Sequence, residues 1–274
     1  MGNKIENAII IHGPGRSGTT LFNEILSLHP DLFYLSGFDE KFPGYPALSF
    51  LNRMNRIQWF EEWTRKKGIK WFRSNEAYSY WDHYLLVMST LMEEEEYDES
   101  DLHRLVRSIQ RRRVWSGSNR FMTKITGAAR SEFISGIFQD PVILFIDRDP
   151  RLVVDSYRKQ KWRVKKGKDR FSQSSDEEIL SFYSNLYLSF YNTRDSLKKF
   201  RILFLKYEDL VEDPLSFFEK VCQFSGLDLS PGFQKKIQGW PIYGSKRIEE
   251  YFDQRSLMNL NQWLKTPIQE LGYS

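Results

Sequence analysis

Five short apolar runs punctuate the chain: Ala8–Ile11, Leu32–Leu35, Phe121–Thr126 (interrupted by Lys124), Pro141–Asp147 and Arg201–Lys206. They are runs rather than polar/apolar alternations, so each reads as a strand covered on both faces, as in a parallel sheet between helices. The intervening stretches carry helical periodicity. Leu21, Phe22, Ile25 and Leu26 share one face of a helix that should stop near Leu28-His29-Pro30, because proline blocks continuation. Residues 131–139 read as a crossover helix, and Pro150 opens a helix with Val153 and Tyr157 on one side. Ser175-Asp176-Glu177-Glu178 is a capping box before an apolar face of Ile179, Phe182, Tyr183, Leu186, Tyr187 and Phe190. Asp213, Pro214 and Gly226 suit the N-cap, first turn and C-cap of another helix. After Pro231 the pattern weakens. The prediction is an α/β fold: a central, mostly parallel sheet flanked by helices.

From Pro43 to about residue 120 the pattern is helical but irregular, with a dense aromatic population: Trp59, Phe60, Trp63, Trp71, Phe72, Tyr78, Tyr80, Trp81 and Tyr84. Most of these are expected in the core or between helices. This stretch reads as a helical insertion over 43–120 in one domain spanning 1–274.

The first strand breaks into His12-Gly13-Pro14-Gly15-Arg16-Ser17-Gly18-Thr19-Thr20 and resumes as a helix. A strand, a glycine-rich turn and a helix N-terminus make a nest of backbone N–H groups that favours a phosphate or sulfate-like anion. Gly13 and Gly18 have the spacing of a Walker A loop and Thr20 its hydroxyl, but Thr19 stands where the lysine should be. Arg16 is the loop's cation and precedes the second glycine. Ordinary ATP hydrolysis would lose its phosphate clamp, which points to a P-loop-like fold that handles another phosphate-bearing cofactor. Asp39 and Glu40 follow the second strand, at the sheet edge that carries the loop if the crossover is right-handed and parallel.

Composition narrows the partners. The net charge of +4 over 274 residues suits a polyanionic cofactor but is too weak to imply nucleic-acid binding. Nine basic against two acidic residues between Arg151 and Arg170 concentrate the positive field on one flank. Glu93–Glu96 and Arg111–Arg113 read as solvated faces. A single cysteine, Cys222, excludes an internal disulfide and suggests a core thiol. His83 and His103 have no partner at ligand spacing, so no metal is expected. With no signal peptide and no apolar run of spanning length, a soluble cytoplasmic protein without membrane contact is expected.

Gly15-Arg16-Ser17-Gly18-Thr19-Thr20-Leu21 resembles the 5′-phosphosulfate loop of sulfotransferases that use 3′-phosphoadenosine 5′-phosphosulfate (PAPS). Three more stretches match that family in order. Ile146-Asp147-Arg148-Asp149-Pro150-Arg151 through Ser156 resembles its 3′-phosphate motif, Phe121–Ile125 its lysine-bearing strand, and Lys206–Pro214 its Y-E-D-L…D-P element. Asn261-Gln262-Trp263 and Leu271-Gly272-Tyr273 are more loosely similar to the tails of tyrosylprotein-type members. The chain departs from the cytosolic aryl and steroid enzymes in having Arg16 for their loop lysine, and it offers no well-placed histidine base. It also has Lys124-Ile125-Thr126 where Lys-Thr-Pro or Lys-Asp-Pro is frequent.

The resemblance implies transfer of a sulfuryl group from PAPS to a hydroxyl or amine, with adenosine 3′,5′-bisphosphate (PAP) as product and no metal. Gly15, Arg16, Ser17, Gly18, Thr19, Thr20 and Tyr207 would bind the donor, with Arg148 and Ser156 on its 3′-phosphate. Arg16 and Lys124 would neutralise charge on the sulfuryl and bridging oxygens. Glu40, with Asp39 in reserve, would deprotonate the acceptor; His12 competes but sits inside the first strand. The acceptor, a small molecule or natural product on this reading with a carbohydrate or a tyrosine also compatible, would lie against residues 43–120. The alternatives are a Mg·ATP-dependent kinase, with Asp147 in the place of a Walker B aspartate, and a non-catalytic anion-binding protein of the same fold.

Overall fold

The computed structural model describes residues 4–85, 98–160, 164–165, 168–169, 171–244 and 248–273. The acidic run at 93–96 and most of the basic stretch at 161–170 lie outside the described residues. Five parallel strands form the central sheet: β1 (Ile9–Gly13), β2 (Leu32–Tyr34), β3 (Arg120–Thr126), β4 (Val142–Asp147) and β5 (Arg201–Lys206). Their spatial order is β2-β3-β1-β4-β5. The chain leaves β1 for the far edge, returns to β3, then crosses to the other side for β4 and β5. A crevice therefore opens at the C-terminal end of β1, where the order reverses.

The apolar runs divide by residue parity. Ile10, Phe33, Phe121, Ile125, Ile143 and Phe145 face one core, whereas Ile9, Ile11, Leu32, Tyr34, Met122, Leu144 and Ile146 face another. Both faces of the interior strands are thus covered, while the edge strand β5 leaves Phe204 exposed; each fully buried Ile or Leu contributes about 1.5–3 kcal/mol. Cys222 lies in the second core, where burial pushes its thiol up to about 12.

Helices α1 (Thr19–Leu26), α2 (Gly37–Lys41), α3 (Gln58–Lys66), α4 (Tyr78–Leu85) and α5 (Glu99–Ser116) follow or flank the first two strands, with a 3₁₀ stretch over Pro46–Arg56. The expected helical insertion is therefore built of short pieces before α5. Of its nine singled-out aromatics, Phe60, Tyr80 and Trp81 are buried and Phe72 and Tyr84 half-buried, while Trp59, Trp63, Trp71 and Tyr78 are exposed. Helices α6 (Ser131–Ile137), α7 (Pro150–Arg158) and α8 (Asp176–Thr193) then flank the sheet. The Ser175–Glu178 box caps α8 as expected. Past β5 come α9 (Tyr207–Glu212), α10 (Pro214–Ser225) and α11 (Pro231–Gln238). Two last helices, α12 (Gln254–Trp263) and α13 (Lys265–Glu270), form where the sequence pattern faded. They pack Leu260, Leu264 and Ile268 against α7 and α8, so tertiary burial supplies the stability that local periodicity lacks. No helix among the described residues is long and apolar enough to cross a membrane.

Candidate active site

The loop between β1 and α1 is held from behind by close packing onto its glycines. Gly13 adopts φ 154° and a Cβ there would strike the Ile146 carbonyl; at Gly15 it would strike the Tyr157 hydroxyl; at Gly18, φ 88°, it would strike the Tyr207 ring. Only glycine tolerates both the dihedral at Gly18 and that approach. Arg16 also takes positive φ, 74°, so successive N–H groups of the turn converge. Gly18 is the N-cap of α1 and offers no side chain, and the first turn has no acidic residue. The leading N–H groups of α1 are left without a side-chain partner. Ser17 is fully buried and its Oγ has no hydrogen-bond partner among the described residues. A buried orphan hydroxyl beside uncapped N–H groups fits an anionic oxygen of a phosphate. Thr19 is buried, whereas Thr20 is exposed.

Two elements bring the other expected donor residues to the loop. From α7, Ser156 Oγ accepts from Arg16 Nε at 3.1 Å, and Tyr157 packs beneath Gly15. From the start of α9, the Tyr207 ring lies between Gly18 and Arg148, whose guanidinium carbon stands 4.8 Å above it. The Tyr207 hydroxyl donates to the Tyr243 carbonyl at 3.3 Å. Arg16, Arg148, Ser156 and Tyr207 thus come together. Arg16 points to α7 rather than to Lys124, which differs from the expectation that the two share one sulfuryl group.

The 3′-phosphate motif is braced by its own Asp149 and Arg151 and by residues of the Y-E-D-L element and the tail. Asp149 caps α7 through the Arg151 N–H and pairs with the Arg151 guanidinium at 2.7 Å. Arg151 in turn donates to Asn261 Oδ1 at 2.9 Å. Glu208 accepts from the Asp149 N–H at 3.2 Å and from the Tyr273 hydroxyl at 2.7 Å, so both tail segments close on this motif. Asp147 is buried, accepts from the Arg148 N–H and the Tyr187 hydroxyl, and is pushed up to about 7 by burial.

On the opposite side of α1 lies a cleft of about 560 Å³, lined among others by Thr20, Glu24, Glu40, Lys70, Arg73, Glu76 and Lys124. Lys124 joins it to the loop: its Nζ donates to Thr20 Oγ1 at 2.9 Å and lies 3.3 Å from Glu76 Oε1. Glu76 also accepts from Thr126 Oγ1 at 2.7 Å. Glu40 reaches the same cleft and accepts from Asn75 Nδ2 at 2.8 Å. Glu24, Arg73, Asn75 and Glu76 escaped the sequence reading, because nothing in a turn such as Ser74-Asn75-Glu76 marks the strand end it docks on. The Asn75 N–H donates to the Leu35 carbonyl at 3.1 Å, and Ser74 Oγ to Asn23 Oδ1 at 3.1 Å.

Asp39 corrects an expectation. It is wholly buried and pairs with Arg112, itself wholly buried, at 2.6 Å. Its oxygens also accept from the Ser36 N–H, Ser36 Oγ and Ser49 Oγ at 2.8, 3.0 and 3.1 Å. Ser36 and Asp39 form a capping box that turns 37–41 into a short helix, and this directs Asp39 inward. It has no access to the cleft and cannot stand in reserve as a base. His12 is buried, stacks on Phe145, shares a 3.2 Å hydrogen bond with the Ala128 carbonyl and is lowered to about 4 by burial. It is a neutral packing residue.

No curated protein matches the sequence. Among solved structures, the chain is similar to sulfotransferase STF9 from Mycobacterium avium, with TM-score 0.70, 15% identity, and 99% of this chain and 78% of that one covered. Sulfotransferase STF1 from Mycobacterium tuberculosis H37Rv follows at 0.60, with 16% identity and 96% and 77% covered. Mouse sulfotransferase SULT7A1, solved in complex with PAP, gives 0.52 at 10% identity, with 95% and 83% covered. At these identities the likeness is one of fold. The sequence profile described as "Sulfotransferase family" matches residues 8–231, from the first strand through the loop, the lysine-bearing strand and the arginine–serine motif, and the chain belongs to that family.

Proposed function

We propose that the chain transfers the sulfuryl group of PAPS to a hydroxyl or amine of a small-molecule acceptor. Bound PAPS supplies an activated sulfur; its bond to the 5′-phosphate oxygen breaks as the acceptor attacks, leaving PAP. The loop N–H groups and Ser17 bind the 5′-phosphate, while Arg148, Ser156 and Arg16 face the 3′-phosphate and Tyr207 supports the loop at Gly18. Lys124 neutralises charge at the bridging oxygen, and Glu40 takes the acceptor proton. The observation that carries this reading is Lys124, which touches the loop through Thr20 and lines the cleft that holds Glu40. Donor and acceptor sides meet at that one cation. A cleft of about 560 Å³ suits a small molecule.

The kinase alternative is disfavoured by Thr19 in the lysine position and by Asp147, whose carboxyl is occupied by Tyr187 and the Arg148 N–H. Thermal melts separate the two. PAP at a hundred times its dissociation constant should stabilise by about 2.7 kcal/mol without magnesium, and ATP with magnesium should do little. A larger, magnesium-dependent shift with ATP would overturn the sulfotransferase reading in favour of a kinase.

A further inference from the structure

Arg73 is 7% exposed and lines the cleft. Its Nη1 is 3.6 Å from Glu24 Oε2, beyond hydrogen-bond length, and its Nε and Nη2 have no hydrogen-bond partner among the described residues. A guanidinium stripped of water normally recovers that loss through several charge-assisted hydrogen bonds. Here the described residues do not supply them. The three carboxylates of the cleft are already engaged: Glu24 beside Arg73, Glu40 with Asn75, Glu76 with Lys124 and Thr126. Two further lysines line the same wall. Lys41 lies 5.4 Å above the Trp71 ring, and neither it nor Lys70 has a carboxylate within ion-pair distance among the described residues. Four cations, Lys41, Lys70, Arg73 and Lys124, thus line a cleft with three carboxylates, and Lys41, Lys70 and two nitrogens of Arg73 are left without an anionic partner among the described residues.

We propose that the acceptor carries an anionic group, a carboxylate or a phosphate, which Arg73 and Lys70 hold while its hydroxyl or amine faces Lys124. The proposal rests on the sulfotransferase reading of the cleft and adds the charge of the molecule that enters it. The separation is set by α1. Thr20 marks the Lys124 end and Glu24 the Arg73 end, four residues along the helix and about 6 Å apart. Para-substituted phenols place an oxygen and an anion at roughly this separation, so they serve as probes.

The test titrates 4-hydroxyphenylacetate, 4-hydroxyphenyl phosphate, 4-ethylphenol and tyramine into the protein with and without PAP, and measures their turnover with PAPS. Either anionic phenol should exceed 4-ethylphenol in affinity and in kcat/KM by about 10- to 100-fold, with tyramine weakest. The ranking of the two anions separates carboxylate from phosphate. Arg73→Gln should bring the anionic-to-neutral ratio close to one, and exposed Lys70→Glu should lower it even if Arg73→Gln fails to fold. Equal binding of neutral and anionic phenols, no binding of either anion, or a preference that survives Lys70→Glu and a folded Arg73→Gln would overturn the proposal. Failure of PAP to bind would instead remove the donor assignment, and the titrations without PAP would still report on Arg73.

Discussion

Around Gly13–Gly18 the contacts are made by backbone and by rings packed onto glycine; around the cleft from Gly37 to Ser79 they are made by charged side chains in pairs. The loop side has no room for a Cβ at three positions, so its shape is set by steric exclusion and it presents N–H groups in a fixed array. The cleft side places Glu24, Glu40, Glu76, Lys124 and Arg73 at the ends of flexible stems. The first arrangement suits one invariant chemical group, a phosphate. The second can be re-tuned by single substitutions without disturbing the sheet, as suits a surface that selects an acceptor.

Four experiments would break or sharpen this contrast. The largest effect is expected at Glu40. Glu40→Gln keeps size and removes basicity, and should lower kcat by about 10²–10⁴-fold while PAP affinity, measured by calorimetry, stays nearly unchanged. Normal turnover would take Glu40 out of the chemistry. Its neighbour Asp39 should behave oppositely. Arg112→Leu strands a buried carboxylate and should cost about 3–5 kcal/mol of stability in urea melts, with the kcat of the folded fraction retained. A lost rate at full stability would return Asp39 to the site.

Next in size is the donor side. Arg148→Ala should weaken PAP by about 1.5–3 kcal/mol and barely alter binding of adenosine 5′-phosphosulfate, which lacks the 3′-phosphate. Equal losses for both ligands would remove the 3′-phosphate assignment. The smallest effect concerns Asp147, which burial raises to about 7. Its unfolded value is near 3.9, so between these values the native state binds more protons than the unfolded chain. This contribution is complete at low pH and is lost as pH rises from about 4 to about 7. Melts of Asp147→Asn should therefore show a Tm that declines a few degrees less between pH 5 and 8 than that of the unsubstituted protein. Parallel curves would mean that Asp147 is already charged at pH 5.

Asp39 and Glu40 show where sequence reasoning reached its limit. Both follow β2 and both are carboxylates, so position alone ranked them together. The Ser36-Gly37-Phe38-Asp39 spacing is itself a capping signature, and it could have assigned Asp39 to the helix start. Its partner Arg112 lies 73 residues away on α5, and no local pattern announces that pairing. Glu76 and Arg73 were hidden for the same reason: they belong to an irregular segment whose position depends on long-range bonds to Leu35 and Asn23.

What the sequence determined alone was the set of features that local physics dictates. Continuous apolar runs need cover on both faces, glycines at Gly13 and Gly18 permit dihedrals and approaches that other residues do not, and Pro150 and Pro214 begin helices. These sufficed for the sheet, the anion loop and the family resemblance. The tertiary structure alone decided which way Arg16 turns, which of two adjacent carboxylates is buried, and which charges of the cleft remain unpaired. Those outcomes depend on where distant side chains end in space, and electrostatic pairing acts over ångströms, not over sequence separation.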